Sequence, residues 1–227
     1  MTKILFNLSK LINMNKIVNF ILGIKQKYTI HRILMGQKLS DFQFADGLTI
    51  DVGGEIKSSY EDLWKTDKKS FYYIDISGTP NILADINSLP FKNKSLSNFG
   101  SFNILELIQN PGAPIQEIFQ VLRNDGFFVG YVPFLYPIHN QPTDYWRFSK
   151  ATLFDLLNNA GFKDIYIEAI GGRFIVFYDV ILPKKLFLLR LILSSICLLL
   201  NKLYEKFHSA EYNREMYPSG YFFIAKK

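Results

Sequence analysis

Cysteine is nearly absent from this sequence, and histidine is scarce. The chain has a single cysteine, Cys197, which excludes an internal disulfide framework. The three histidines, His31, His139 and His208, lie far apart and show no metal-ligand spacing with that cysteine. Structural metal sites are built from clustered thiolate and imidazole ligands. The sequence therefore predicts no metal centre.

Acidic residues are missing from the first 40 positions, which contain seven lysines and arginines. The remaining residues carry 19 basic and 20 acidic side chains, so the formal net charge of +6 arises in the N-terminal segment. Apolar residues recur there at helical spacing, and we predict a basic amphipathic helical segment over residues 1–40. Such a segment suits an anionic membrane surface better than nucleic acid. The alternative is a solvated helix that packs on the domain.

A long uninterrupted apolar run is also missing. The longest run covers residues 186–200 and contains Arg190, whereas the core of a bilayer needs about 20 apolar residues. A secretory signal is not expected, because polar residues interrupt the apolar start of the chain. We predict an apolar helical insertion over residues 181–207, with lysines near both ends, that lies at a membrane interface. The alternative is a core helix between the sixth and last strands.

The residues that are present are organised around the stretch 48–55. A short β-prone run is followed there by Asp51, a valine and two glycines, an order that predicts a buried strand entering a tight turn. Glycines let the backbone approach a ligand closely. A second strand-like run ends in Asp75, about twenty positions further on, whose carboxylate can accept hydrogen bonds from two ribose hydroxyls. Together these features indicate nucleotide recognition.

Strand-like and helical segments alternate along the rest of the chain. The patterns predict strands at 82–86, 96–105, 127–132, 164–170 and 221–225, and helices at 59–69, 113–122 and 149–160. Such alternation predicts an α/β fold with a mainly parallel sheet. The fifth strand is apolar on both sides, so we expect it to be central.

The order and spacing of several short motifs resemble the class I S-adenosylmethionine-dependent methyltransferases, in particular the small Rossmann-like type. The resemblance covers roughly residues 48–172 and the last strand. The motifs that resemble the family are Asp51-Val52-Gly53-Gly54, Asp75, Ala84-Asp85-Ile86, Leu89-Pro90-Phe91, Leu105-Glu106, and the runs 117–126, 133–139, 144–148 and 156–162. The sequence departs from the family where Glu55 and Ile56 stand near the usual third glycine, and where Leu107 replaces a histidine.

The resemblance implies a Rossmann-like domain over residues 41–227, with a mainly parallel seven-stranded sheet and helices on both faces. It also implies S-adenosylmethionine as the cofactor and methyl transfer by in-line displacement. Asp75 would hold the ribose hydroxyls, and Asp85 and Ile86 would meet the adenine edge.

The glycine turn has an implied role of its own. Gly53 and Gly54 would pass under the methionine part of the cofactor, and Asp51 would help to fix the turn.

The irregular segment after the fifth strand is dense in functional side chains. His139 is the best candidate for a catalytic base, because its unperturbed pKa lies near neutrality. Asp144 would orient it, Tyr145 would join it in the catalytic group, and Tyr136 and Arg147 would bind hydroxyls or an acid group of the acceptor. Alternatively, the segment packs as a lid in which the arginine is paired with an acid.

The methyl acceptor is left open as a small molecule, a sugar or a lipid-linked compound. A degenerate, non-catalytic, membrane-associated binding module is the alternative to an enzyme. A nicotinamide-dependent oxidoreductase fits less well, because the turn lacks the spaced triple-glycine pattern. We expect a cytoplasmic protein, peripheral on the inner face of the membrane, with no nucleic-acid partner.

Overall fold

The computed structural model describes residues 14–25, 28–53, 63–64, 68–138, 143–181 and 187–227. In chain order the elements are α1 (Met14–Lys25), α2 (Ile30–Asp41), β1 (Thr49–Val52), β2 (Phe71–Asp75), β3 (Ile82–Leu83), β4 (Leu96–Phe102), α3 (Gly112–Val121), β5 (Leu122–Pro133), α4 (Lys150–Asn159), β6 (Lys163–Gly171), α5 (Arg173–Ile181), α6 (Phe187–Phe207), α7 (Ala210–Met216) and β7 (Pro218–Lys226). Short 3₁₀ helices cover Lys68–Ser70 and Leu105–Leu107.

The strands form one seven-stranded sheet in the order β3-β2-β1-β4-β5-β7-β6. Strands β1 to β5 pair in parallel, whereas β7 runs antiparallel to both of its neighbours, β5 and β6. The predicted α/β fold with a mostly parallel sheet is confirmed. The sheet is nevertheless mixed, because β7 enters it from the opposite direction.

Side chains alternate between two apolar layers, one on each face of the sheet. In β7, Phe223 points into a layer that α3 and α4 cover, and Phe222 points into a layer that α2 covers. The first layer also contains Ile118 of α3 and Leu153 of α4, and the second contains Leu39 of α2. Successive residues of a strand face opposite sides, which explains why β5 and β7 are apolar along nearly their whole length.

Several element boundaries differ from the sequence-based prediction. Helix α3 runs directly into β5, and Asp125 lies inside that strand with a positive φ of 66°. The pairing of β4 with β5 shifts register over this stretch. A bulge therefore absorbs residues 124–126, which lie between the predicted helix at 113–122 and the predicted strand at 127–132. Most of the helix predicted at 59–69 lies outside the described residues.

Ser149, at the start of the helix predicted over 149–160, is the N-cap of α4. Its hydroxyl oxygen accepts a hydrogen bond from the backbone N–H of Thr152 at 3.2 Å and so satisfies one of the orphan donors at the start of α4.

The connection from β6 to β7 contains three helices, whereas the sequence predicted one. Helices α5 and α7 were missed, and the residues that join α5 to α6 lie outside the described part of the chain. Helix α6 has 21 residues and, of the helices that the structure describes, is the one long and apolar enough by length and composition to cross a membrane. The apolar run at 186–200 is thus part of a longer helix that continues to Phe207, the end of the predicted insertion.

Candidate functional site

The predicted cofactor residues lie at the carboxyl ends of neighbouring parallel strands. The backbone N–H of Gly53, just after β1, donates to the carbonyl of Ile74 in β2 at 2.9 Å. The N–H of Ala84, just after β3, donates to the carbonyl of Asp75 at 2.9 Å. These two bonds tie the three strand ends together, and Asp85 follows directly. Ligands of open α/β sheets bind at this edge.

Gly53 occupies a position that other residues fit poorly. Its φ of +77° lies in the left-handed region, and a Cβ built on it would stand 2.1 Å from Cδ1 of Ile104. Both the backbone conformation and the close neighbour therefore favour glycine. Gly54, the other glycine of this turn, lies outside the described residues.

Asp51 is buried in β1, where its side chain is 2% exposed. It lies between Tyr73 of β2 and Gly100 of β4 in the sheet register. A Cβ on Gly100 would stand 2.9 Å from Oδ1 of Asp51, so the missing side chain of the glycine makes room for this carboxylate. Asp51 thus lies in β1, two residues before the turn at Gly53.

Asp75 and Asp85 share one local geometry. Oδ1 of Asp75 accepts from the backbone N–H of Ser77 at 3.0 Å, and Oδ1 of Asp85 accepts from that of Asn87 at 2.8 Å. Each carboxylate thus closes a turn through its Oδ1 oxygen. Ile86, within the second of these turns, is buried at 6% exposure.

Arg147 and Asp144 form a bidentate ion pair in the segment after β5. Nη1 of the arginine contacts Oδ1, and Nη2 lies 2.7 Å from Oδ2. The bond to Asp144 raises the pKa of the guanidinium, and burial opposes that rise. The same nitrogen Nη2 lies 3.4 Å from the carbonyl oxygen of Tyr136. Asp144 and Arg147 therefore connect the two ends of this segment, while His139 lies outside the described residues.

Residues 144–148 are anchored to the turn that follows β4. The backbone carbonyl of Glu106 accepts from the N–H groups of Tyr145 at 2.8 Å and of Trp146 at 3.3 Å. The indole N–H of Trp146 donates to the carbonyl of Ile108 at 2.9 Å. The ring of Tyr145 remains 47% exposed. This half of the segment is held in place and presents a phenol to solvent.

Sequence reasoning missed a buried pair beside Tyr136. Nδ1 of His31 lies 2.9 Å from Oδ2 of Asp179, and the imidazole meets the ring of Tyr136 edge-on at a centroid distance of 5.0 Å. Burial, followed by the nearby Asp179 carboxylate, raises the pKa of the Tyr136 phenol. His31 and Asp179 are 148 positions apart, so no local pattern connects them.

Among the described residues, no group of three or more His, Cys, Asp and Glu side chains is placed to hold a metal ion.

No model of a protein family matches this sequence. No curated protein matches it either. Solved structures do match its fold. An S-adenosylmethionine-dependent methyltransferase from Archaeoglobus fulgidus superposes with a TM-score of 0.58 at 15% identity, covering 92% of this chain and 99% of that one. The fold is that of the class I S-adenosylmethionine-dependent methyltransferases.

Two further structures show how widely this fold is used. Phosphoethanolamine N-methyltransferase 2 of Haemonchus contortus, in complex with S-adenosyl-L-methionine, has a TM-score of 0.55 at 13% identity, covering 91% of this chain and 56% of that one. The cyclase SpnF has a TM-score of 0.56 at 16% identity, covering 94% of both chains. Proteins with the methyltransferase fold therefore include one named for a different reaction, so the fold alone does not specify the chemistry.

Proposed function

We propose that this protein binds S-adenosylmethionine at the carboxyl edge of β1, β2 and β3 and transfers its methyl group to an acceptor. The observation that carries the proposal is the left-handed turn at Gly53, hydrogen-bonded to the strand that ends in Asp75. This arrangement combines a close backbone approach with a carboxylate one strand away, which is what a nucleoside ligand requires.

The residues present fit the parts of such a cofactor. The turn at Gly53 and Gly54 would pass under the methionine part. Oδ2 of Asp75 would accept hydrogen bonds from the ribose hydroxyls, because the contacts with Ser77 use Oδ1. Asp85 and Ile86 would border the adenine, with the buried isoleucine supplying an apolar surface. The bound cofactor would supply an electrophilic methyl group.

The segment after β5 would bind the acceptor. His139 remains the proposed base, and Tyr136 and Tyr145 are the proposed hydroxyl contacts. Arg147 would fix the segment through Asp144 and present its exposed edge to an acidic group. The protein positions and desolvates the two reactants, because the methyl donor is already reactive.

We infer that the acceptor is a small molecule, a sugar or a lipid-linked compound, reached from the cytoplasmic face of a membrane. One structure with this fold is named as a phosphoethanolamine methyltransferase, so a polar headgroup is an acceptor class to include. The exposed apolar face of α6 supports a location at lipid.

Calorimetry with S-adenosylmethionine, S-adenosylhomocysteine and NAD tests cofactor binding. We expect binding of the first two and none of NAD. Asp75→Ala should lose about 1–3 kcal/mol of binding free energy, as is typical when a charge-assisted hydrogen-bond acceptor is removed. Asp155→Ala is the matched control, because this carboxylate is exposed on α4. Tight NAD binding, or an Asp75→Ala variant that binds like the wild type, would refute the assignment.

Transfer is tested with methyl-labelled S-adenosylmethionine and a total lipid and metabolite extract, followed by partition of the label between organic and aqueous phases. We expect His139→Ala and Tyr145→Phe to lower label transfer while cofactor affinity is nearly unchanged. Loss of cofactor affinity in both variants would place this segment in the cofactor pocket instead. Binding without transfer to either phase would favour the non-catalytic alternative.

A further inference from the structure

Helix α6 has an apolar exposed face and a polar buried face. The exposed side chains recur every three or four residues and lie on one side of the helix. They are Leu188, Ile192, Ile196, Leu199, Leu203 and Phe207, and their exposed fractions range from 46% to 81%. The buried side chains of α6 are Arg190, Ser194, Cys197 and Asn201. A surface helix of a globular protein normally has the opposite arrangement.

A buried arginine holds the first half of α6 against α1. Nη1 of Arg190 donates to the carbonyl of Ile24 at 2.8 Å, and Nη2 donates to the carbonyl of Tyr28 at 2.8 Å. Ile24 lies in the last turn of α1, where free carbonyls and the helix dipole both favour a cation. The side chain of Arg190, which we expected to disfavour a membrane helix, therefore points into the protein.

A network of amides holds the second half of α6. Nδ2 of Asn213 in α7 donates to Oδ1 of Asn201 at 3.0 Å, and Nδ2 of Asn201 donates to Glu205 at 2.9 Å. Oδ1 of Asn213 accepts from the backbone N–H of Arg173 at the start of α5, at 3.1 Å. These contacts and those of Arg190 set the rotation of α6 about its axis, and the apolar face is held outward.

The exposed charged side chains described on α6 and on the neighbouring α1 are positive. Lys202 and Lys206 are exposed on α6, and Lys25 is exposed on the neighbouring α1. The one acidic residue of α6, Glu205, is half-buried and accepts hydrogen bonds from Asn201 and Asn213. An apolar surface bordered by lysines complements an anionic lipid surface. It complements a second copy of itself poorly, because the exposed face of α6 offers no carboxylate to these lysines.

We propose that the α6 face, defined as the six exposed apolar residues from Leu188 to Phe207, docks on an anionic lipid bilayer with the helix axis in the membrane plane. Helices α1 and α5 pack against α6 and add exposed apolar side chains, namely Ile21, Leu22, Phe177 and Val180. This proposal goes beyond methyl transfer and does not depend on it.

The sheet topology excludes a transmembrane orientation of α6. A helix of 21 residues is about 31 Å long, enough to cross a hydrocarbon core. However, β6 and β7 flank the α5–α7 connection and pair with each other, with Ile170 opposite Gly220. Helices α5 and α7 have 9 and 7 residues and are too short to return the chain across a bilayer. One crossing by α6 would separate two paired strands, so the helix lies along the surface.

Vesicle flotation of the full chain tests docking. We expect it to float with vesicles of phosphatidylcholine mixed with phosphatidylglycerol, and to float less in high salt. Replacing both Ile192→Glu and Leu199→Glu should lower the bound fraction about tenfold or more, since carboxylates would enter the acyl region. Phe154→Glu is the matched control, because Phe154 is 43% exposed on α4, on the other side of the sheet.

Two results would overturn docking. One is a full-length chain that stays at the bottom of the gradient with anionic vesicles at low salt. The other is a dimer in vesicle-free solution that the Ile192→Glu, Leu199→Glu variant dissociates, because the face would then join two copies of this chain. Circular dichroism melts of each variant establish that the fold is retained. None of these measurements uses S-adenosylmethionine, so failure here leaves the proposed methyl transfer standing.

Orientation is tested by nitroxide labels on single cysteines at positions 188, 192, 199 and 203, in a Cys197→Ser background. An in-plane helix places all four labels at a similar, shallow depth. A depth that increases toward the middle of the helix and then decreases would show a spanning helix and overturn the in-plane geometry.

Discussion

At the scale of single residues, two glycines with the same φ allow the cost of backbone strain to be distinguished from the cost of a steric clash. Gly53 and Gly78 both have a φ of +77°, but a Cβ on Gly78 would meet no atom within 4 Å. We expect Gly78→Ala to cost about 1 kcal/mol of unfolding free energy from backbone strain alone. Gly53→Ala should cost about 1–3 kcal/mol more, because its Cβ overlaps with Ile104. Urea denaturation measures both.

A rescue variant identifies the cause. Ile104→Ala in the Gly53→Ala background should recover part of the lost stability, since the overlapping methyl group is removed. Equal losses in the two glycine variants would mean that the contact with Ile104 relaxes at little cost, and that only conformation requires glycine at this turn.

The anchored half of the acceptor segment gives a test at the scale of an element. Arg147→Ala removes the bidentate partner of Asp144, whose side chain is 2% exposed. We expect a loss of about 1–3 kcal/mol and faster hydrogen exchange at the amides of Tyr145 and Trp146. The amide of Leu153, which bonds to Ser149 within α4, serves as the internal control. Unchanged exchange at Tyr145 would show that Glu106 alone holds the segment.

At the scale of the whole molecule, a side chain of α5 stabilises the start of α2, which is distant in the sequence. Oδ1 of Asp179 in α5 accepts from the N–H of Ile30 at 2.8 Å, and Oδ2 accepts from the N–H of His31 at 3.0 Å. This buried carboxylate caps the N-terminus of α2, where Thr29 supplies no side-chain cap. Asp179 thereby links α2, in the basic N-terminal segment, to the chain between β6 and β7, which contains α6.

Removing that cap should weaken the link. We expect Asp179→Ala to destabilise the protein by about 1–2 kcal/mol, and Asp179→Asn by less, because the amide keeps one acceptor oxygen. Thermal and urea unfolding check the order of the two variants. If Asn is as costly as Ala, the negative charge matters more than the hydrogen bond to Ile30.

The sequence by itself determined the class of the fold and the position of the candidate cofactor residues near the ends of neighbouring strands. Alternating strands and helices, the apolar fifth strand and the acids near the ends of the first two strands are local patterns, and periodicity records local spacing. The cap at Ser149 is equally local. The strand order, by contrast, places β7 between β5 and β6, which no neighbouring residues encode.

Only the tertiary structure decided which side of α6 faces the protein. The sequence shows a nearly uniform apolar run, in which Arg190 reads as an interruption. Arg190 faces inward because it donates to carbonyls that lie 162 and 166 positions away in the sequence. His31 and Asp179, which pair with each other, are 148 positions apart. Hydrogen bonds over such separations form when packed elements bring the groups together, and the spacing of residues along the chain contains no record of them.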